Sequence, residues 1–201
     1  MVLTSGVDEN ALQTALDLHD PFTVAVPGRM QLVSAEPASV VDFAHNPDAL
    51  SRALEAVRSP LEGSRVIVVF GATGQRDQGK RPTMGGAIAA RLADIVIISD
   101  DDPPHDEDAA AIRAEVLQGA HAARDSENLN SEIIESYPRD AAIKLAVDMA
   151  TSKDTILIAG RGHEVWQEVK GVNLALDDRV ELRAALTSKG FSVSADQRIE
   201  S

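Results

Sequence analysis

The stretch Arg65-Val-Ile-Val-Val-Phe70-Gly-Ala-Thr-Gly74-Gln-Arg-Asp-Gln-Gly79-Lys-Arg-Pro-Thr-Met84-Gly-Gly-Ala-Ile-Ala-Ala-Arg-Leu-Ala93-Asp-Ile-Val-Ile-Ile-Ser99 decides the fold. Its opening run, Val66 to Phe70, is apolar without alternation and too short for a helix. It reads as a strand buried on both faces. A glycine-rich loop follows, then a helix of small residues over about Met84–Ala93 and a second apolar strand at Ile95–Ser99. Strand, glycine loop, helix and strand make a βαβ unit, whose crossover is right-handed and whose strands are parallel.

The alternation extends both ways. Upstream, strand Ser39–Phe43 precedes helix Asp48–Arg58, with Leu50, Leu54 and Val57 at i, i+4 and i+7. Downstream come helix Asp108–His121, strand Glu132–Ser136, helix Arg139–Ala150 and strand Thr155–Ala159. A hairpin (Val165–Val169 and Asn173–Leu176 about Gly171) and helix Asp178–Ser188 close the pattern. The class expected is α/β, a doubly wound and mostly parallel sheet with helices on both faces and ligands beyond the strands' C-terminal ends. Before it stand an amphipathic helix at Val7–Leu18, a connector at 20–30 and a short strand at Gln31–Ser34. Ala35-Glu36-Pro37 is a break, dividing residues 1–34, the end of a preceding domain and its linker, from a domain at 35–201.

Composition narrows the function classes. Hydrophobic residues make up 44% of the 201 and aromatics only 3%, so Ala, Val, Ile and Leu must build the core. A formal net charge of -13 argues against a nucleic-acid partner, which needs a cationic face. There is no cysteine, hence no disulfide, thiolate metal site or cysteine nucleophile. The apolar runs fall far short of the roughly 20 residues that span a bilayer. No signal peptide is visible at Met1-Val-Leu-Thr-Ser-Gly, so a cytoplasmic monomer without a membrane partner is expected.

The unusual residues cluster at strand ends. Gly74-x4-Gly79-Lys80 approaches a phosphate-binding loop, but Arg81 stands where a Ser or Thr hydroxyl should hold Mg²⁺. The loop's Arg76, Lys80 and Arg81 concentrate positive charge in an acidic chain; arginine offers a fork for carboxylate, lysine a point charge for phosphate. A solvated basic turn is the plainer alternative. Asp100-Asp-Asp102 and Asp106-Glu-Asp108 form the densest negative patch. The second triplet suits a helix N-terminus; the first, before two prolines, suits a cation, either a metal or an ammonium group. In Gly160-Arg-Gly-His163-Glu164 a dinucleotide signature lacks its third glycine, and a zinc pair fails because residue 167 is Gln. Glu164 can hold an ammonium group, or be an ordinary polar loop residue. Asp42 and His45 come with no nucleophile and read as ligand-positioning groups.

Taken in order, these elements resemble one family. Pro27-Gly-Arg29-Met, Asp42-Phe-Ala-His45-Asn-Pro-Asp48, Phe70-Gly…Arg76-Asp-x-Gly-Lys80-Arg-Pro-x-Met84-Gly, Asp101-Asp-Pro, Gly160-Arg-Gly-His-Glu164 and Asp178-Arg179 look like the Mur ligases, and among them the branch that adds the third residue of the peptidoglycan stem peptide. The match runs to about residue 188. The resemblance implies a C-terminal, dinucleotide-binding-like domain that recognises the incoming amino acid. It also implies that UDP-N-acetylmuramoyl-dipeptide, ATP and Mg²⁺ are handled mainly by preceding domains, which carry the phosphate-binding loop. In this family an acyl phosphate forms first and the amine of a diamino acid then attacks it. No catalytic residue and no metal ligand is expected in the present chain.

By the same resemblance Arg76 grips the amino acid's carboxylate. Asp101, Asp102 and Pro104 form its side-chain loop, with Gly160 and Glu164 at the distal amine. Arg29, Asp42, His45 and Lys80 face the nucleotide. Members that use meso-diaminopimelate carry Asp-Asn-Pro-Arg, whose Arg pairs with the distal carboxylate. Here the loop is Asp101-Asp102-Pro103-Pro104, which favours a bare ammonium as in L-lysine or L-ornithine. A folylpolyglutamate-type ligase domain and a non-catalytic small-molecule-binding domain are the alternatives.

Overall fold

The computed structural model describes residues 26–73, 78–102 and 107–194. The helix expected at Val7–Leu18, together with Arg76 and Pro104, lies outside the described residues.

The chain builds β1 (Gln31–Ala35), β2 (Ala38–Asp42), α1 (Pro47–Ala56) and β3 (Val66–Phe70). A helical stretch follows in three pieces, α2 (Lys80–Pro82), a π-helical segment (Thr83–Ala89) and α3 (Ala90–Leu92). Then come β4 (Ile95–Ile98), α4 (Ala109–Glu127), β5 (Glu132–Glu135), α5 (Arg139–Met149) and β6 (Thr155–Ala159). A separate hairpin of β7 (Trp166–Val169) and β8 (Val172–Ala175) leads to α6 (Asp178–Ser188).

The six-stranded sheet runs β1-β2-β6-β3-β4-β5, with β1 antiparallel to β2 and the other neighbours parallel. Successive residues of β3 go to opposite faces, and both are buried. Val66, Val68 and Phe70 pack with Leu50, Leu54, Met84 and Val116, whereas Ile67 and Val69 pack with Ile143, Val147, Leu182 and Leu186. Two apolar layers explain why the strand reads as an unbroken run.

Local chemistry sets the helix ends. Asn46 caps α1 by accepting from the Ala49 amide at 2.9 Å, and Pro47 supplies a fixed φ at the first turn. Asp108 caps α4, and Asn128, in the left-handed region at φ 52°, ends it. Between the two, α4 outruns the expected His121 because Ala120 and Ala123 keep its buried face going. The helix expected from Met84 begins instead at Lys80. Its π-helical part touches α4 backbone to backbone: a Cβ on Gly85 would lie 2.2 Å from the Val116 carbonyl oxygen, and one on Gly119 would lie 2.1 Å from that of Pro82.

The division expected at 34/35 runs through the β1–β2 hairpin, with Ala35 paired to Ala38 across the turn. Val33 of β1 is fully buried in the core beside Val41, and its carbonyl accepts from the Ser194 amide at 2.8 Å. Residues 31–35 therefore go with the sheet that follows them. A short turn between two alternating segments looks like a boundary in sequence but is a sheet corner in space.

Candidate functional site

The C-terminal ends of β2, β4 and β6 converge, and two groups of side chains meet there. The first surrounds Phe43. The turn at Gly28, with φ 66°, lies flat against the Gly160–Glu164 turn: a Cβ on Gly28 would fall 2.1 Å from the Gly162 carbonyl carbon. Only glycine permits this approach. Asp42, at the end of β2, accepts from the Met30 amide at 2.7 Å and so pins that turn. The Arg29 guanidinium sits 4.5 Å over the Phe43 ring, and the rings of His45 and His163 flank it at 4.6 and 5.2 Å. Lys80 Nζ donates to Thr73 Oγ1 at 3.0 Å and to the His45 carbonyl at 3.4 Å. Arg29, Asp42, His45 and Lys80, from three separate stretches of the sequence, thus share one side of the site.

The second group is acidic. Asp101 and Asp102, after β4, and Glu164, in the turn after β6, bring carboxylate oxygens within 4.8 Å of one another. Asp101 is 4% exposed; its Oδ1 accepts from the Asp102 amide at 2.8 Å, while its buried Oδ2 has no hydrogen-bond partner among the described residues. Gly160, at φ 117°, makes room for that oxygen, because a Cβ would lie 2.5 Å from it. Burial, then Asp102 and Asp101, push the Glu164 carboxyl up to about 7, with Arg161 pulling the other way. Burial, against the opposing pull of Arg161 and with help from Asp101, also raises the Asp102 carboxyl from its ordinary value. Three close carboxylates, one with a buried oxygen that has no partner among the described residues, are groups that could accept hydrogen bonds from a cation.

Glu164 gives a pH test. Its carboxyl binds a proton in the folded chain at pH values where an unfolded glutamate does not, so its contribution to stability is present below about 4.5 and is lost as pH rises towards about 7. Glu164→Gln is expected to remove that loss. The melting temperature of the variant minus that of the parent should grow between pH 5 and 8. Parallel melting curves across that range would contradict the assignment.

Several of the groups that hold this architecture were missed in sequence. Arg161 is fully buried and contacts Asp102 Oδ1, the Trp166 carbonyl at 2.6 Å and the Leu176 carbonyl at 3.4 Å. Arg139 is fully buried against Asp178 and donates to the Asp100 carbonyl at 3.0 Å and the Ala159 carbonyl at 2.9 Å. Arg113 binds Asp100 and Glu135. Arg81 corrects an expectation: it is 1% exposed and paired with Glu107 and Glu115, so it braces the fold and presents no charge to a ligand. The available signal was its position: Arg81 precedes Pro82, Arg139 follows Pro138, and Arg161 lies between Gly160 and Gly162.

Among the described residues no helix is long and apolar enough to cross a membrane. A family model described as Mur ligase, glutamate ligase domain matches residues 28–162, more than half of the chain. The chain is 42% identical over 186 residues to the UDP-N-acetylmuramoyl-L-alanyl-D-glutamate–2,6-diaminopimelate ligase of Corynebacterium glutamicum, covering 92% of this chain and 34% of that protein. The like-named ligase of Chelativorans is 47% identical over 149 residues, covering 74% of this chain and 28% of that protein. A solved structure of a ligase of that name superimposes with a TM-score of 0.71 at 35% identity, covering 94% of this chain and 36% of the other. Escherichia coli FolC shares the fold, with a TM-score of 0.60 at 18% identity. The chain spans about a third of the length of the first of these relatives.

Proposed function

This chain belongs to the Mur ligase family, and from that premise we propose that it is the amino-acid-recognising domain of a cytoplasmic, ATP-dependent ligase that adds a diamino acid as third residue to UDP-N-acetylmuramoyl-L-Ala-D-Glu. The observation that carries the proposal is the acidic pocket of Asp101, Asp102 and Glu164, which suits a side-chain ammonium. Arg76, which follows β3 in sequence, and Lys80, at the start of α2, supply positive charge for the amino acid's carboxylate and for phosphate respectively.

ATP would activate the dipeptide's carboxylate, mainly through parts of the protein outside this chain. The grouping of Arg29, Asp42, His45 and Lys80 fits the ribose and phosphate end of such a nucleotide, with cations and hydrogen-bonding groups on one side. The domain's own task is to hold the distal amine at Glu164, so that the α-amine lies about 3–3.5 Å from the acyl carbon and water is kept out. The full-length protein is therefore expected to release ADP on supply of UDP-muramoyl-dipeptide, a diamino acid and ATP-Mg²⁺, and this chain alone to release none. ADP release by the isolated chain, or none by the full-length protein with any diamino acid, would contradict the proposal.

The finer reading is L-lysine or L-ornithine, because Pro104 stands where the family's diaminopimelate users carry Arg. A second reading, meso-diaminopimelate, is favoured by the names of the relatives. Both substrates end in an ammonium group, so the acidic pocket serves either; the distal carboxylate separates them.

A further inference from the structure

We infer that Arg161 is a positioning residue of the amino-acid pocket, one buried guanidinium that fixes where Asp102 stands and sets how much of the charge of Asp102 and Glu164 is left for a cation. The inference rests on the reading of this pocket as the amine site. It deepens that reading by identifying the group that sets it.

The geometry carries the argument. Arg161 lies between Gly160 and Gly162, both with positive φ, so the chain turns sharply on either side and drives the side chain inward. The guanidinium then ties three segments together. Nη1 meets Asp102 of the acidic loop, and Nη2 donates to the Trp166 carbonyl at the start of β7 and to the Leu176 carbonyl just after β8. Glu164 is 4.0 Å away, too far for a hydrogen bond but close enough to feel the charge. Lysine at this position would keep the charge but could not serve loop and hairpin together, since the guanidinium fork reaches several acceptors at once.

Charge completes it. Glu164 faces Asp101 and Asp102 from the loop after β4 and Asp178 from α6, with Arg161 on its own turn; Arg139 is held by Asp178. Among the described residues, Arg161 is thus the cation that Glu164 and Asp102 share. By lowering the proton affinity of both, it leaves Glu164 ionised at the upper end of the neutral range and able to take an ammonium group. Without it, three carboxylates would share protons, and a substrate amine would have to displace them.

The test follows the Glu164 carboxyl by carbon NMR through a pH titration of this chain, with the amide spectrum as a check of folding. Arg161→Met is expected to move the Glu164 midpoint up by about one unit, and Arg161→Lys to leave it near the parent value. In the full-length protein the acidic limb of kcat/KM for L-lysine should shift upward with Arg161→Met by the same amount; a purely structural role would lower activity equally at every pH. Should Arg161→Met not fold, Arg161→Gln takes its place: it also removes the positive charge but keeps an amide donor for the hairpin carbonyls, and it should likewise raise the Glu164 midpoint. An unmoved midpoint in a folded Arg161→Met variant, or in Arg161→Gln where that is the arm used, overturns the inference. Failure of the amine-site reading looks different: Glu164→Gln would then use L-lysine as well as the parent, whatever the titrations show.

Discussion

Asp178→Ala is expected to destabilise the chain by about 3–5 kcal/mol, because it leaves the Arg139 guanidinium charged and unpaired in the core. Both partners are 0% exposed and joined by two hydrogen bonds of 2.8 Å. Burial opposes the charge on Arg139, but Asp178 outweighs it and holds the guanidinium above its ordinary range. For a domain of this size the melting temperature falls by about 2–4 °C per kcal/mol, so a loss of roughly 6–20 °C is predicted. Replacing both partners with apolar residues, Arg139→Met with Asp178→Leu, should recover part of it, since no buried charge is then orphaned. An unchanged melting temperature in Asp178→Ala would show that the pair does not brace the fold. The effect reaches the site, because Arg139 also holds the carbonyls of Asp100 and Ala159, the residues immediately before Asp101 and Gly160.

The second large effect is discrimination between diamino acids. In the full-length protein, kcat/KM for L-lysine or L-ornithine should exceed that for meso-diaminopimelate at least a hundredfold. A second carboxylate placed here would be desolvated beside Asp101, whose Oδ2 has no partner among the described residues, and beside Glu164. Such a like-charge contact costs several kcal/mol. The structure changes the weight of one part of this argument. Asp102 is paired with Arg161, so its charge contributes less to the exclusion than the sequence suggests, and the missing arginine at Pro104 contributes more. Asp102→Asn with Pro104→Arg should move preference towards meso-diaminopimelate, at some expense in overall rate because proline also shapes the loop. Equal or better use of meso-diaminopimelate by the parent would mean that another cation fills the place left by that arginine.

How far the sequence could be read followed from the physics of each part. β3, β4 and β6 were plain, because strands buried on both faces leave unbroken apolar runs and the loops between them carry glycine. Asp101, Asp102, Gly160 and Glu164 stood out as polar or flexible residues at strand ends, and the fold brings them together. Arg29, Asp42, His45 and Lys80 do likewise around Phe43. What stayed hidden was the buried charge. Arginines 81, 139 and 161 look in sequence like solvated surface, as arginine usually is; only the meeting of distant segments shows that each lies against a carboxylate. The turn at residues 35–37 misled for the opposite reason, since its local chemistry suits a linker and a hairpin equally.

The central claim is that Asp101, Asp102 and Glu164 receive a side-chain ammonium, and comparing L-lysine with L-norleucine as acceptors tests it most directly. The two share an α-carbon and an apolar chain and differ chiefly in the terminal amine. With UDP-muramoyl-dipeptide and ATP-Mg²⁺ saturating, the full-length protein is predicted to favour L-lysine by at least a hundredfold in kcat/KM, and Glu164→Gln to erase most of that preference, as expected on losing charge-assisted hydrogen bonds of about 1.5–3 kcal/mol each. L-norleucine used as well as L-lysine, or a preference that survives intact in Glu164→Gln, would contradict the account.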